Sequence, residues 1–205
     1  HRQGVRALQD IVRTCGQMGI PVLTVYCFST ENWYRPQEEV DFLMNLLMEV
    51  LREELETLHR EGVQIVPIGN LEDLPMVVRN QVNQAAELTA GNNLLKLNMA
   101  ISYGGRLEII KAVNELLKEA RRDESLVVDE EALARHLYTA DDPDLDLIIR
   151  TGGERRLSNF LLWQGAYAEL YFSDIMWPDF APEHFVEAIV EYQNRERRFG
   201  RISGK

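Results

Sequence analysis

The amino-acid sequence predicts an α/β fold with a mostly parallel central sheet flanked by helices on both faces. Short apolar runs rich in β-branched residues alternate along the chain with longer segments whose apolar residues recur at helical spacing. This alternation is typical of βαβ units, whose consecutive strands are parallel. The chain has 205 residues, of which 45% are hydrophobic. That is enough for a substantial core, so we expect a single domain over residues 1–205.

Turn and capping residues set the limits of the predicted elements. Val5, Leu8, Ile11 and Val12 give the chain an amphipathic helical start. Strands are predicted over residues 22–28, 63–68, 94–101, 145–149 and 168–172. Helices are predicted over residues 37–61, 74–90, 106–122, 130–138 and 182–197, with Pro36, Gly62, Gly91 and Asp129 as start or stop signals.

Charge and cysteine usage exclude several classes of function. A formal net charge of −11 argues against a nucleic-acid partner, which would need a broad basic surface. Cys15 and Cys27 lack metal-ligand spacing, so we expect two reduced thiols in the cytosol rather than a disulfide. No apolar run is long enough to span a bilayer and no signal peptide is visible. We therefore expect a cytoplasmic protein, at most peripheral to a membrane, with its acidic segment 141–146 as a solvated loop.

Polar or glycine-rich segments follow three of the predicted strands directly. They are Ser29, Thr30, Glu31, Asn32, Trp33 and Arg35; then Tyr103, Gly104, Gly105 and Arg106; then Arg150, Gly152, Gly153, Arg156 and Ser158. Because the carboxyl ends of parallel strands meet at one edge of a sheet, we expect these segments to converge. Glycine pairs let backbone amides approach an anion, and arginines offer fork-shaped donors to phosphate oxygens. One such feature alone is usually a turn or a solvated charge, but their coincidence predicts a shared phosphate site for Arg35, Arg150 and Arg156.

Glu169 stands within an apolar segment, residues 166–172. Burying a carboxylate there is costly unless it is paired or bound to a metal, which makes Glu169 a candidate metal ligand. Strand alternation also places Glu169 on the same face as Tyr167 and Tyr171, and that favours a solvent-facing side chain. The residues alone leave both interpretations open.

Five motifs resemble those of the cis-prenyltransferases, and specifically of the bacterial undecaprenyl pyrophosphate synthases. They are Phe-Ser-Thr-Glu-Asn-Trp-x-Arg-Pro at residues 28–36, Tyr-Gly-Gly-Arg at 103–106, Arg-Thr-Gly-Gly-Glu-x-Arg-Leu-Ser-Asn-Phe at 150–160, Glu-Leu-Tyr-Phe at 169–172 and Trp-Pro-Asp-Phe at 177–180, where x is a position outside the resemblance. The motifs occur in the family's order and the resemblance covers essentially the whole chain.

This resemblance implies an enzyme that extends farnesyl pyrophosphate with isopentenyl pyrophosphate units and sets cis double bonds. The product would be a long-chain polyprenyl pyrophosphate of the undecaprenyl type, the precursor of the lipid carrier for bacterial cell-wall sugars. The resemblance further implies that Arg150, Arg156, Leu157 and Ser158 bind isopentenyl pyrophosphate. It also implies that Glu169 ligates Mg²⁺.

The same resemblance assigns a second group of residues to the condensing carbons and the pyrophosphates. These are Ser29, Thr30, Glu31, Asn32, Trp33 and Arg35, with His1 assisting near the allylic pyrophosphate. Ser29, Asn32 and His1 are the catalytic candidates, and Asn32 is the family's proposed proton acceptor. Because a carboxamide is a weak base, we expect Asn32 to share that role with water or a pyrophosphate oxygen.

Two further implications concern the growing chain and the assembly. In the family the long helix, here residues 37–61, lines a hydrophobic tunnel, and Met44 and Met48 would suit an adaptable wall. The apolar residues of this helix spread around much of its circumference, which is also typical of a core helix. Arg198-Phe199-Gly200 resembles a carboxy-terminal element that reaches the partner subunit's site, which implies a homodimer.

Two departures from the family pattern qualify the expected activity. The family's first strand ends in an Asp-Gly-Asn-Gly-Arg-Trp-like motif that would lie before His1, so we expect an amino-terminally incomplete domain. A chain beginning at His1 is expected to have little or no synthase activity, and a non-catalytic or truncated partner subunit is the alternative. In addition, Ser102 precedes Tyr103 where family members commonly have asparagine.

Overall fold

The computed structural model describes residues 2–123 and 125–196, with the side chain of residue 2 outside the description. These residues fall into two compact units. One unit is Cys15–Pro143, and the other combines the described parts of His1–Thr14 and Asp144–Lys205. The single domain over residues 1–205 stays a prediction.

The unit Cys15–Pro143 is built on a three-stranded parallel sheet. Its strands are β1 (Val22–Ser29), β2 (Val63–Ile68) and β3 (Leu95–Tyr103), in the order β1-β3-β2. Its helices are the end of α1 (Arg2–Met18), α2 (Gln37–Arg60), α3 (Met76–Thr89), α4 (Gly105–Ala120) and α5 (Glu130–Ala134), with 3₁₀ turns at Thr30–Tyr34 and Leu71–Asp73. The parallel α/β fold class predicted from the sequence is confirmed.

Strand β3 lies at the centre of this sheet because it can bury both of its faces. Eight of its nine residues are buried, from Leu95 to Tyr103, which is the burial expected of a central parallel strand. Its carboxyl end lies beside that of β1, with Ser29 opposite Tyr103. Two of the three predicted strand ends therefore meet at one edge, as expected.

The other unit contains a separate pair of parallel strands. They are β4 (Leu147–Arg150) and β5 (Glu169–Phe172), followed by helix α6 (Pro182–Gln193). Short 3₁₀ turns at Gln164–Tyr167 and Trp177–Asp179 precede β5 and α6. The third predicted strand end, at Arg150, thus belongs to a different sheet from the first two.

Helix α5 is shorter than the 130–138 helix predicted from the sequence. It ends at Ala134 because the next residues close tight turns, with the Leu137 amide bonded to the Ala134 carbonyl. The amide of Tyr138 donates to Oε1 of Glu108 at 2.9 Å instead of continuing the helix. The hydrogen bond to the buried Glu108 carboxylate on α4 therefore helps to end helix α5.

Helix α2 is less evenly buried than its apolar sequence suggests. Its fully buried residues are Val40, Met44 and Leu51, whereas Met48 is half-buried and Phe42 is 46% exposed. The buried residues form a narrow stripe along α2, as is typical of a core helix. That α2 lines a hydrophobic tunnel stays a prediction. Across residues 2–123 and 125–196, no helix has both the length and the hydropathy to cross a bilayer.

Cys15 and Cys27 are both free thiols. Cys15 is fully buried on α1 and Cys27 is partly buried on β1. Burial raises the pKa of each thiol to about 12, so both are protonated at neutral pH and are poor nucleophiles.

The expectation that the whole acidic segment 141–146 is solvated is wrong for Asp142. Its side chain is only 6% exposed, and its carboxylate lies 2.5 Å from Nζ of Lys96. The same carboxylate accepts a hydrogen bond from Nδ2 of the buried Asn98 at 2.6 Å. Two polar groups on β3 thereby hold the loop against the sheet.

Replacing Asp142 with alanine is expected to destabilise the fold by about 3 kcal/mol, because the change leaves Lys96 and Asn98 without their buried carboxylate. Urea unfolding of both proteins measures the difference. Asp141→Ala, at an exposed position in the same loop, is the matched control and is expected to cost less than about 0.5 kcal/mol. Equal stability of the two variants would contradict a structural role for Asp142.

Candidate functional site

Asn32 is held at the carboxyl end of β1 by its own side chain. The chain leaves β1 at Ser29 and turns through Thr30–Tyr34, and Oδ1 of Asn32 accepts a hydrogen bond from the Ser29 amide at 2.9 Å. This contact satisfies a backbone donor at the start of the turn. It fixes the carboxamide while leaving the residue half-buried at the strand end.

Trp33 is oriented by an aromatic contact and a polar one. Its ring packs edge-on against Phe28, with ring centroids 4.7 Å apart. Its Nε1 donates to Oγ of Ser102 at 2.9 Å, and that hydroxyl donates to Oδ2 of Asp73 at 2.8 Å. No local sequence pattern singles out Asp73, because the crossover after β2 brings it to this edge.

Thr30, Glu31 and Arg35 lie on the more open side of the same turn. Oγ1 of Thr30 donates to the carboxylate of Glu31 at 3.2 Å. Arg35 forms an exposed ion pair with Glu39 at 2.7 Å, one turn into α2. An exposed pair of this kind contributes little to stability.

The Tyr103-Gly104-Gly105-Arg106 segment joins β3 to α4. Tyr103 is fully buried, and its hydroxyl donates to the buried carboxylate of Glu108 at 2.5 Å. Gly104 precedes the first residue of α4, so the glycine pair marks a helix start. The partial positive charge of a helix amino terminus favours a nearby anion.

Arg150 and Ser158 are brought together at the end of β4. Nη1 of Arg150 donates to Oγ of Ser158 at 3.0 Å, so the loop between these two residues folds back toward the end of β4. Ser158 and Asn159 have positive φ angles of 48° and 63°, so the backbone at the end of this loop is in the left-handed conformation. The predicted pairing of these two residues around one anion therefore has a geometric basis.

The amides of the neighbouring glycine pair are not available to an anion, contrary to our expectation. The Gly152 amide donates to the Ile175 carbonyl at 2.8 Å, and the Gly153 amide donates to the Ser173 carbonyl at 2.9 Å. Both glycines have positive φ angles, so their role is to turn the chain back onto the strand ends. Phosphate recognition by this loop would depend on side chains.

Arg156 and Leu157 occupy the same loop. Arg156 forms an exposed ion pair with Glu154 at 2.5 Å, and Leu157 is half-buried. Neither residue has a described contact with Arg150 that would fix its direction. The shared phosphate site of Arg35, Arg150 and Arg156 stays a prediction.

Glu169 is paired with an arginine rather than freely solvated. Its side chain is 28% exposed, and its carboxylate accepts a hydrogen bond from Nη1 of Arg195 at 2.9 Å. Arg195 also binds the carboxylate of Glu191 and the Leu170 carbonyl, and its pKa is raised mainly by Glu191 and then by Glu169. Over residues 2–123 and 125–196, no group of three acidic, histidine or cysteine side chains could hold a metal ion.

His1, Arg198, Phe199 and Gly200 fall outside the described residues. An open groove of about 480 Å³ runs along α4, where Lys111, Lys118 and Tyr138 are among its lining residues. None of the predicted site residues lines it.

The fold and these loops define a parallel α/β protein whose strand ends carry arginine, serine and carboxamide groups. Residues 1–200 match a family model described as "Putative undecaprenyl diphosphate synthase". An isoprenyl transferase from Heliobacterium mobile is 49% identical over 204 residues, covering 98% of this chain and 78% of the relative. The chain belongs to the cis-prenyltransferase family.

Further relatives agree with this assignment. An isoprenyl transferase from Neisseria meningitidis serogroup B is 45% identical over 203 residues, covering 99% of this chain and 80% of the relative. A crystal structure of a probable undecaprenyl diphosphate synthase from Campylobacter jejuni has a TM-score of 0.87 and 40% identity, covering 98% of this chain and 93% of that one. A crystal structure of lavandulyl diphosphate synthase from Lavandula x intermedia has a TM-score of 0.91 and 32% identity, covering 98% of this chain and 87% of that one.

Proposed function

We propose that this protein condenses isopentenyl pyrophosphate units onto farnesyl pyrophosphate to form a long-chain, undecaprenyl-type polyprenyl pyrophosphate. The observation that carries the proposal is the Arg150–Ser158 hydrogen bond at the end of β4, within a motif of a prenyltransferase family. The product would supply the lipid carrier for bacterial cell-wall sugars. Prenyl transfer itself follows from family membership, whereas the two substrates and the product length are the proposed part.

Arg150, Arg156, Leu157 and Ser158 would bind isopentenyl pyrophosphate. Arg150 is held by Ser158, so its guanidinium is positioned before a substrate arrives, and this reduces the entropy lost on binding. Arg156 would leave its exposed carboxylate partner, Glu154, for a phosphate oxygen. Two arginine forks would then neutralise much of the charge of one pyrophosphate group.

The turn after β1 would act on the allylic substrate and the condensing carbons. Ser29, Asn32 and His1 are the proposed catalytic residues, with Thr30, Glu31, Trp33 and Arg35 contributing to binding. Because Oδ1 of Asn32 already accepts a hydrogen bond from the Ser29 amide, its carboxamide nitrogen would face outward as a donor. This supports a shared role, in which Asn32 orients a water or a pyrophosphate oxygen that takes the proton.

Magnesium is the proposed cofactor, and among the described residues Glu169 is the proposed ligand. Glu169 offers a single oxygen ligand, and Mg²⁺ is commonly held by one or two carboxylates together with substrate phosphates and water. When bound, the ion would stabilise the charge that develops on the leaving pyrophosphate. To serve as a ligand, Glu169 would first give up its hydrogen bond with Arg195.

The proposed assembly is a homodimer in the cytoplasm, with contact to the membrane only through the lipid product. The Arg198-Phe199-Gly200 element would reach the partner subunit's site. Helix α2 would line the tunnel for the growing chain, with Met44 and Met48 in its wall. A shorter allylic primer is the main alternative substrate, since the lavandulyl diphosphate synthase structure is a complex with dimethylallyl diphosphate.

The decisive test is a prenyl-transfer assay on the purified protein, whose length is measured by intact mass. The polypeptide is incubated with Mg²⁺, radiolabelled isopentenyl pyrophosphate, and farnesyl, geranyl or dimethylallyl pyrophosphate in separate reactions. Dephosphorylated products are separated by chain length. We expect multiple additions to farnesyl pyrophosphate and loss of product when EDTA removes the metal.

The outcomes separate the competing functions. A single addition to dimethylallyl pyrophosphate would overturn the proposed primer and product length while retaining prenyl transfer. No product from a folded, dimeric polypeptide would overturn catalysis and favour a non-catalytic partner subunit. Product formed equally well in EDTA would remove the metal from the proposal.

A further inference from the structure

We propose that Ser102 and Asp73 are positioning residues that hold the indole of Trp33 in one orientation for prenyl transfer. The three residues form the relay Trp33–Ser102–Asp73, whose two hydrogen bonds measure 2.9 and 2.8 Å. This inference rests on the proposed function, in which Trp33 contributes to the allylic site. Neither Ser102 nor Asp73 belongs to the residues assigned to substrates above.

Chemistry fixes the direction of both hydrogen bonds in the relay. An indole N–H can only donate, and an ionised carboxylate can only accept. Ser102 therefore accepts from Trp33 and must turn its own proton toward Asp73. Donation to a carboxylate makes the hydroxyl oxygen a better acceptor, so the charge on Asp73 strengthens the contact with Trp33.

The middle of the relay is held in an unfavourable backbone conformation. Ser102 is fully buried and has a φ angle of 48°, in the left-handed region that β-strand residues avoid. Such a conformation persists only where the surrounding structure enforces it, and it is found more often at functional sites than elsewhere. In this conformation, at the end of β3, the Ser102 hydroxyl accepts the hydrogen bond from Trp33.

The crossover after β2 fixes the far end of the relay. The Asn70 amide donates to the Ser102 carbonyl at 3.0 Å, and Nδ2 of Asn70 donates to the second oxygen of Asp73 at 2.7 Å. Gly69 makes this approach possible, since a Cβ there would lie 2.0 Å from the Ile101 carbonyl oxygen. Asp73 is thus anchored by its neighbour, although it lies at an exposed position.

The relay orients Trp33 without covering it. Phe28 supports one part of the ring and Ser102 holds its nitrogen, while the residue remains only partly buried. A tryptophan that served only the core would have no need of a charged residue behind its hydrogen-bond partner. Holding a partly buried ring in one orientation costs entropy at folding rather than at substrate binding, and this lowers the barrier in preorganised sites.

The test compares Ser102→Ala with Ser102→Asn and Asp73→Asn in the natural polypeptide. Asparagine tolerates a positive φ angle, and its carboxamide can accept from Trp33 and donate to Asp73. Glu72→Gln is the matched control, because it removes the same charge at an exposed neighbouring position. Proton–nitrogen NMR of the indole groups reports on Trp33 directly, with Trp33→Phe assigning its signal.

We expect Ser102→Ala to shift the Trp33 indole signal upfield and to lower kcat roughly tenfold, while the KM for isopentenyl pyrophosphate changes less than about twofold. Asp73→Asn is expected to give a smaller upfield shift. Ser102→Asn is expected to keep both the Trp33 indole signal and the kcat close to those of the wild type. An unchanged indole signal in Ser102→Ala would overturn the relay. A shifted signal with full kcat would overturn positioning, whereas failure of the proposed function would appear in the wild-type assay itself.

Discussion

Replacing Asn32 with alanine is expected to lower kcat for prenyl transfer by about a hundredfold or more, with a smaller change in the KM of either substrate. The carboxamide is fixed to the Ser29 amide at 2.9 Å, so the change removes a group held in place by the fold. Loss of a positioned participant in proton transfer affects the chemical step more than binding. Single-turnover kinetics with farnesyl and isopentenyl pyrophosphate measure the effect on that step.

Two further variants separate chemistry from local folding at this position. Asn32→Asp retains an oxygen for the Ser29 amide, so we expect its thermal stability to match the wild type while its kcat falls. Asn114→Ala, at an exposed asparagine on α4, is expected to keep full activity. If Asn32→Ala retained near-full turnover, both the family's proton-acceptor role and the shared role would be wrong.

Replacing Arg150 with alanine is expected to raise the KM for isopentenyl pyrophosphate by about a hundredfold, because a charged hydrogen-bond donor to phosphate contributes roughly 1.5–3 kcal/mol. The kcat at saturating substrate should change less. The change also leaves Ser158 without its guanidinium partner. Steady-state kinetics and direct binding of isopentenyl pyrophosphate by calorimetry test this expectation together.

Arg155 provides the matched control for this prediction. It is an exposed arginine in the same loop, and Arg155→Ala removes the same charge. We expect its KM to remain within about twofold of the wild type. Arg150→Lys keeps the charge but loses the fork, so an intermediate KM is expected. Equal effects at Arg150 and Arg155 would mean that the loop attracts substrate only by its general charge.

Most of the fold was predictable because the chain alternates clear periodic patterns with strong turn residues. β2 has the predicted limits, and β1 and α2 differ from prediction by a single residue at one end. Two errors occur where tertiary contacts replace local ones. Helix α5 ends early because Glu108 captures the Tyr138 amide, and Asp142 is buried because Lys96 and Asn98 reach it.

The site was predictable only where its residues are close in sequence. The Asn32 and Arg150 segments follow predicted strands directly, so their placement at strand ends could be read from the pattern of residues. Contacts across long loops could not be read in this way. Asp73 reaches Ser102 through the crossover after β2, and Arg195 reaches Glu169 from beyond α6.

The strand order β1-β3-β2 has a consequence for how the protein is made. Among the described residues, β1 and β2 each pair with β3 and not with each other. During synthesis, neither strand can pair with β3 until Leu95–Tyr103 has left the ribosome. Pairings between segments that are distant in sequence form slowly. Until they form, the apolar side chains of these segments stay exposed and can aggregate. We therefore expect ribosome-bound chains that stop before β3 to depend on chaperones, and that dependence to fall once β3 has emerged.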